Sequence, residues 1–489
     1  MALSVYNSLS RQKERFEPLT PASNVERPPV KMYVCGVTVY DFCHLGHART
    51  YIVWDVVRRY LEWRGYDVTY VQNFTDVDDK IVKRARQEQS SMREVSERYI
   101  EAYFEDMERL NVRSADVYPR ATRSLEAIYR LVRDLELKAF AYRVRGQADG
   151  EDVYYSVRNF AEYGKLSGRK LEDMQAGASG RVGSEETSKR EPFDFALWKS
   201  VGENEEGFDS PWGRGRPGWH IECSAMVRDT LGDRIDIHAG GADLTFPHHE
   251  NEIAQSEPIT GKPFAKYWLH NGFLNIDGEK MSKSLGNFTT IRDCLETRSP
   301  MALRLFFLQT HYRSPIDLTD DSLTAAENGW QTLNRAIAFA ESLTPNESTP
   351  DPEAIAAFQR SMDDDFNTPS GLAVAFDLAK TLNKEKNLQT HQGQGELERP
   401  SLLAKANALL SITDILGLAS SVPDADSNNA IGDEGGISVA EIEDLLVQRR
   451  EARQAKQFQI ADEIRDRLTA LGITIVDRAD GTSHWTRSD

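Results

Sequence analysis

The chain has 489 residues, 40% of them hydrophobic and 28% charged, with a net charge of −18 from 59 basic and 77 acidic side chains. This is the make-up of a soluble globular protein of roughly three domains at about 150 residues each, and its acidic balance disfavours non-specific binding to polyanions while leaving room for local basic patches. No apolar run approaches the roughly 18–20 residues of a membrane span, the opening residues lack the apolar core of a signal peptide, and four cysteines (Cys35, Cys43, Cys223, Cys294) do not make a disulfide framework, so a cytosolic protein with reduced thiols or metal ligands and no membrane partner is expected.

Residues 32–50, MYVCGVTVYDFCHLGHART, begin as a β-rich run with Val34, Val37 and Val39 suited to a buried strand. The run ends at His44-Leu45-Gly46-His47, where helical spacing starts and continues over 45–64. A strand that turns through a glycine into a helix leaves backbone N–H groups open to phosphate. The two imidazoles add donors, and Gly46 lets a flat ring approach the backbone. A short strand is expected at 67–72, followed by a helix start at NFTDVDDK, where Asp76, Asp78 and Asp79 read as capping acids.

Residues 92–137 read as mostly helical, and 142–157 as a hairpin. The polar Gly/Ser-rich loop 176–192 has no assignable role. Taken together, about 118–212 is an insertion into an α/β sheet. A strand at 235–239, a Gly240-Gly241 turn, a helix from 247 and a strand at 267–276 complete a doubly wound, Rossmann-like parallel sheet over 1–320. Residues 321–418 read as helical, and heptad-like apolar spacing over 354–382 and 402–416 predicts a helix bundle. An acidic linker, 419–437, leads to a small unit, 438–489, with two helical stretches broken near Lys456-Gln457-Phe458, a β-like run at 473–476 and a polar tail carrying Trp485.

Two groups of residues carry chemistry. Cys35, Cys223 and the run His248-His249-Glu250-Asn251-Glu252 offer two thiolates, an imidazole and a carboxylate, a donor set suited to Zn²⁺. On a helix both His248 and His249 share a face with Glu252, so spacing does not choose between them. The second group joins His44-Leu45-Gly46-His47 to the later run Lys280-Met281-Ser282-Lys283-Ser284, two lysines in a Gly-flanked loop able to reach a polyphosphate.

HLGH on a strand-to-helix turn followed much later by KMSKS resembles the class I aminoacyl-tRNA synthetases. The strings MYVCGVTVYD, NFTDVDDK, GRPGWHIECSAM, DIHAGGADLTFPHHENEIAQS and EKMSKSLGNF resemble the cysteinyl members of that class, from about residue 3 to 315, with a weaker likeness beyond. The resemblance implies a zinc ion, one per subunit, held by Cys35, Cys223, His248 and Glu252, which resolves the choice of histidine. It implies His44, Gly46 and His47 at ATP, Asp243 at its ribose, Lys280 and Lys283 as catalytic lysines, and Thr75, Trp219 and His238 lining the amino-acid pocket. It also implies Mg²⁺ with ATP, a monomer, and tRNA contact by the bundle and the last unit. Arg449, Arg450, Arg453, Lys456, Arg465, Arg467 and Trp485 are the candidates there, with Trp485 able to stack on an unpaired base.

The activity so implied is ATP-dependent joining of L-cysteine to its cognate tRNA through a cysteinyl-adenylate, with the substrate sulfur selected at the metal. The alternative is a ligase that joins cysteine to an amino-sugar inositol with the same motifs, which has no use for 419–489. A non-catalytic relative has no reason to keep both HLGH and KMSKS.

Overall fold

The β-branched and aromatic runs alternate with helical ones, and the computed structural model turns this alternation into a parallel sheet covered by helices. It describes residues 2–21, 26–170, 189–276, 278–280, 289–343 and 348–419, together with parts of 445–487. Two compact units result, Met1–Val422 and Pro423–Asp489.

In the first unit, β1 (Ser4–Asn7) and β2 (Gln12–Arg15) form an antiparallel hairpin. Next come β3 (Pro29–Thr38), α1 (Leu45–Trp63) and β4 (Asp67–Thr75), then α2 (Asp79–Glu88), α3 (Met92–Arg109) and α4 (Leu125–Leu137). The antiparallel strands β5 (Ala141–Arg145), β6 (Glu151–Tyr155), β7 (Phe195–Ser200) and β8 (Gly215–Pro217) follow. Then α5 (Trp219–Thr230), β9 (Ile235–Gly241), α6 (Glu250–Thr260) and β10 (Ala265–Asn271) return the chain to the parallel sheet. β11 (Leu274–Ile276), β12 (Glu279–Lys280), α7 (Ile291–Leu295), α8 (Pro300–Leu308) and β13 (Ile316–Leu318) lead to four helices, α9 (Asp320–Ser342), α10 (Pro352–Asp363), α11 (Thr368–Gln392) and α12 (Arg399–Leu416).

The parallel sheet has the order β10-β9-β3-β4. Its centre is buried on both faces, as helix-covered parallel strands must be: Val30, Met32, Tyr33 and Val34 of β3 are all fully buried. The crossover from β3 runs outward to β4, and the one from β9 runs the other way to β10. A crevice therefore opens between the carboxyl ends of β3 and β9, where doubly wound sheets place their ligands. The expected hairpin at 142–157 is the β5–β6 pair, and the insertion's sheet reaches Pro217, slightly beyond the expected limit.

Asp78 caps α2, accepting the Lys80 N–H at 2.8 Å, as its position before a helical run suggests. The bundle is four helices, α9 to α12, within the same compact unit as the sheet. Two expectations need correction. The helix placed from Pro247 instead starts as a π turn, Thr245–His249, with Phe246 in extended backbone, before α6 begins at Glu250. Trp485 lies not in a tail but on a strand: β14 (Ile473–Asp477) pairs with β15 (Ser483–Arg487) in the second unit, with Trp485 opposite Ile475. The weakly apolar run around Trp485 hides its strand character because the propensity of Trp and Thr is spent in a polar context. The 176–192 loop as far as residue 188, the linker beyond Ala419, and Lys456-Gln457-Phe458 lie outside the described residues.

Candidate functional site

At the end of β3 the chain turns into α1 through His44, the N-cap of that helix. His44 Nδ1 accepts the His47 N–H (3.2 Å), His47 Nδ1 accepts the His44 N–H (3.3 Å), and the rings stack with centroids 3.6 Å apart. A neutral imidazole has one donor and one acceptor nitrogen. With both Nδ1 atoms accepting, each ring carries its proton on Nε2, so capping converts HLGH into a pair of N–H donors at the positive end of a 19-residue helix. Gly46 lies in the first turn between them.

Below this turn the sheet and two helices bring the metal donors together. Cys35 comes from β3, Cys223 from α5, His248 from the π turn and Glu252 from α6. All four are buried, and their ligand atoms lie within 4.8 Å of one another. The two sulfurs are 4.0 Å apart, close to the roughly 3.8 Å edge of a tetrahedral site with Zn–S near 2.3 Å. His248 Nε2 is 3.1 Å from Glu252 Oε1. The ligand atoms of a second set, Cys35, His238, His249 and Glu252, also lie within 4.8 Å of one another. This second set shares Cys35 and Glu252 with the first and has one thiol instead of two: His238 Nε2 is 2.9 Å from Glu252 Oε2, and His249, whose Nδ1 is 2.8 Å from His270 Nε2, turns its Nε2 towards the Cys35 sulfur at 3.3 Å.

Electrostatics favour cation capture. Burial lifts the Glu252 carboxyl, but His238 and His248 outweigh it and hold it at about 2. The Cys35 contact pulls the Cys223 thiol down to about 6, while burial and the neighbouring Cys223 push the Cys35 thiol well up. Burial depresses His248, yet Glu252 and Cys223 raise it to about 9. These are the signs of a buried cluster with a surplus of anionic donors.

The pocket residues named by resemblance gather around this cluster. The Trp219 ring lies 4.3 Å from that of His248, and His238 stacks on Trp268 at 4.6 Å. Thr75, at the carboxyl end of β4, donates its hydroxyl to Glu222 at 3.0 Å. Asp243 follows β9 and lines a cleft of about 460 Å³ with Trp219, Phe246, Phe273 and Arg169. Lys280 is on β12, paired with Asn275; Lys283 lies outside the described residues, as do Arg450 and Arg453. Arg449 is buried on a helical segment, whereas Arg465 and Arg467 are exposed.

Among the residues around the cluster, His220, His270 and Asn73 carry no sequence signal of their own. His220 Nδ1 sits 3.0 Å from His248 Nδ1, His249 Nε2 lies 3.3 Å from the Cys35 sulfur, and His270 backs His249. Asn73 Oδ1 accepts the Gly36 N–H at 2.8 Å beside Cys35. Only the recurrence of histidine around HHENE hinted at such a cluster.

Comparison with known proteins gives the family. The family model described as tRNA synthetases class I (C) catalytic domain matches residues 21–328, a DALR domain matches 357–420, and the cysteinyl-tRNA ligase anticodon binding domain matches 439–485. The cysteine–tRNA ligase of Synechococcus sp. (strain JA-3-3Ab) is 60% identical over 506 residues, covering 100% of both chains. The chain belongs to the cysteine–tRNA ligase family. The ligase of Gloeothece citriformis is 56% identical over 501 residues, again covering 100% of each chain. Solved class I structures share the fold of this ligase-family chain at low identity. A Mycobacterium tuberculosis methionyl-tRNA synthetase is 16% identical with a TM-score of 0.53, covering 82% of this chain and 93% of its own. An Agrobacterium radiobacter leucyl enzyme in a tRNA complex is 12% identical with a TM-score of 0.58, covering 83% and 85%.

Proposed function

We infer that the protein joins L-cysteine to its cognate tRNA at the expense of ATP, through a cysteinyl-adenylate. Full-length identity to cysteine–tRNA ligases carries this reading, and the match to an anticodon binding domain over 439–485 favours it over an amino-sugar ligase. The protein acts in the cytoplasm as a monomer in this reading; no helix among the described residues is long and apolar enough to cross a membrane.

Cys35, Cys223, His248 and Glu252 hold zinc. The two soft thiolates and their tetrahedral spacing support this set over its rival, which has a single thiol. When bound, zinc supplies a position that a thiolate fills and a neutral hydroxyl does not. A purely apolar pocket separates small side chains by only about 1–3 kcal/mol, so selection at sulfur removes the need for editing.

The substrate carboxylate is already a nucleophile, so the protein contributes positioning and charge stabilisation. His44 and His47 donate Nε2–H to the α-phosphate, helped by the N-terminus of α1. Lys280 and Lys283 neutralise the β- and γ-phosphates, with Mg²⁺ accompanying ATP. His238 orients Glu252, Trp219 closes over the amino acid, Thr75 lines its pocket, and Asp243 binds ribose. The bundle, α9 to α12, and residues 438–489 contact tRNA, with Arg449, Arg450, Arg453 and Trp485 in the latter.

The test is ATP–pyrophosphate exchange with cysteine and serine side by side, then charging of bulk tRNA. Cysteine-dependent exchange and cysteine charging are expected. Exchange that needs no cysteine, or cysteine transfer to an amine but not to tRNA, would overturn the reading.

A further inference from the structure

The HLGH turn is hydrogen-bonded to a segment far along the chain. The Leu45 N–H donates to Thr289 O at 3.2 Å and the Ile291 N–H to Cys43 O at 2.8 Å, an isolated antiparallel bridge between His44 and Thr290. Thr290 then caps α7 in a reciprocal pair with Asp293. A helix of five residues has negligible stability of its own, so something else must hold this bridge in place.

Ile291, Cys294 and Leu295 seat α7 in the core, and Arg292 ties it to α3 and to the run before His44. Its Nε donates to Asp106 Oδ1 at 2.9 Å, and its Nη2 to Glu105 Oε2 at 2.5 Å and Ala102 O at 3.3 Å, all on α3. Its guanidinium also lies 4.6 Å over the ring of Phe42, two residues before His44. Phe42 in turn meets Tyr99 of α3 edge-on at 5.3 Å. One side chain thus ties α3, α7 and the run entering the catalytic turn. Asp106 is buried, its Oδ2 has no hydrogen-bond partner, and Arg292 is its only ion-pair partner among the described residues. A buried carboxylate with a single cation fixes that cation's position, and the planar fork of Arg does what a Lys ammonium cannot.

We propose that Arg292 is a positioning residue for adenylate formation, holding the bridge that sets where His44 and His47 stand. The proposal rests on the reading of those imidazoles as phosphate donors.

The experiment measures kcat and KM for ATP and cysteine in pyrophosphate exchange, with zinc content, for R292K, the neutral pair R292Q/D106N, F42L and, separately, H44N. The neutral pair leaves no buried charge behind. It is expected to lose about tenfold or more in kcat, as misplacement of catalytic groups does, with the KM for cysteine and zinc content unchanged, because Cys35, Cys223, His248 and Glu252 make no contact with Arg292. R292K recovers part of the loss. Wild-type kcat in the folded pair variant overturns the proposal, as does a parallel loss of kcat, cysteine affinity and zinc. Should the pair fail to fold, F42L decides: it removes the stack without touching a charge, and a wild-type kcat there overturns the proposal. Wild-type exchange by H44N would instead overturn the reading of the imidazoles.

Discussion

Gly36 follows Cys35, one of the proposed zinc ligands, at an irregularity in the β3–β4 register between Val34 and Val37. A methyl added there would lie 1.6 Å from the backbone oxygen of Asn73, where ordinary contact begins at 3.4 Å. The oxygen is backbone and the position of the methyl is fixed by the Gly36 backbone, so no rotamer relieves the clash and the two strands must part by the difference. Overpacking of this kind costs about 1–3 kcal/mol, occasionally more. The displacement falls on Cys35 and on Asn73, whose amide oxygen holds the Gly36 N–H. A misplacement of about 1 Å costs on the order of 100-fold in rate. Gly36→Ala should therefore fold with a lowered melting temperature, bind zinc substoichiometrically, and lose roughly 100-fold in cysteine-dependent exchange. Zinc by elemental analysis and exchange kinetics on the purified variant are the assay. Full zinc content with wild-type exchange would refute the reasoning, because it would show that the spacing of β3 and β4 does not set the ligand.

Two further outcomes follow from buried charges. Asp55 pairs with Arg59 at 2.8 Å and with Arg304, both guanidiniums being buried; burial opposes its ionisation, but the two arginines hold its carboxyl below the usual range. Asp55→Ala strands two cations in the interior, so denaturant unfolding should show a loss of about 3–5 kcal/mol, and a loss under about 1 kcal/mol would contradict that. In the metal-free protein the His248 proton, held at about 9 because Glu252 and Cys223 outweigh burial, and the raised Cys35 thiol must both be displaced by metal. Zinc affinity in chelator competition should then fall as pH drops from about 9 towards 6, with protons released on binding; a flat profile would contradict it.

Much of this was legible in the sequence because the decisive features are local. The strand before HLGH, the start of α1 and the capping by Asp78 are written in neighbouring residues. The metal donors were legible as residue types, but their choice was not. His248 and His249 stand four and three positions from Glu252, both bring Nε2 within 4 Å of its Oε1, and the π turn that carries them leaves no pattern in the sequence. The supporting shell was silent for another reason: His220, His270, Asn73 and Arg292 act through contacts between distant elements, and a single buried polar residue looks like any other until the fold brings its partner. Trp485 was misplaced because β pairing in a small polar hairpin depends on its partner strand, not on its own run.

The most direct test is zinc K-edge X-ray absorption on the purified protein, alone and with L-cysteine or L-serine. Two sulfur neighbours are predicted, from Cys35 and Cys223, rising by one with cysteine and staying unchanged with serine. Absence of zinc, or a sulfur count indifferent to cysteine, would contradict selection of the substrate by its thiol.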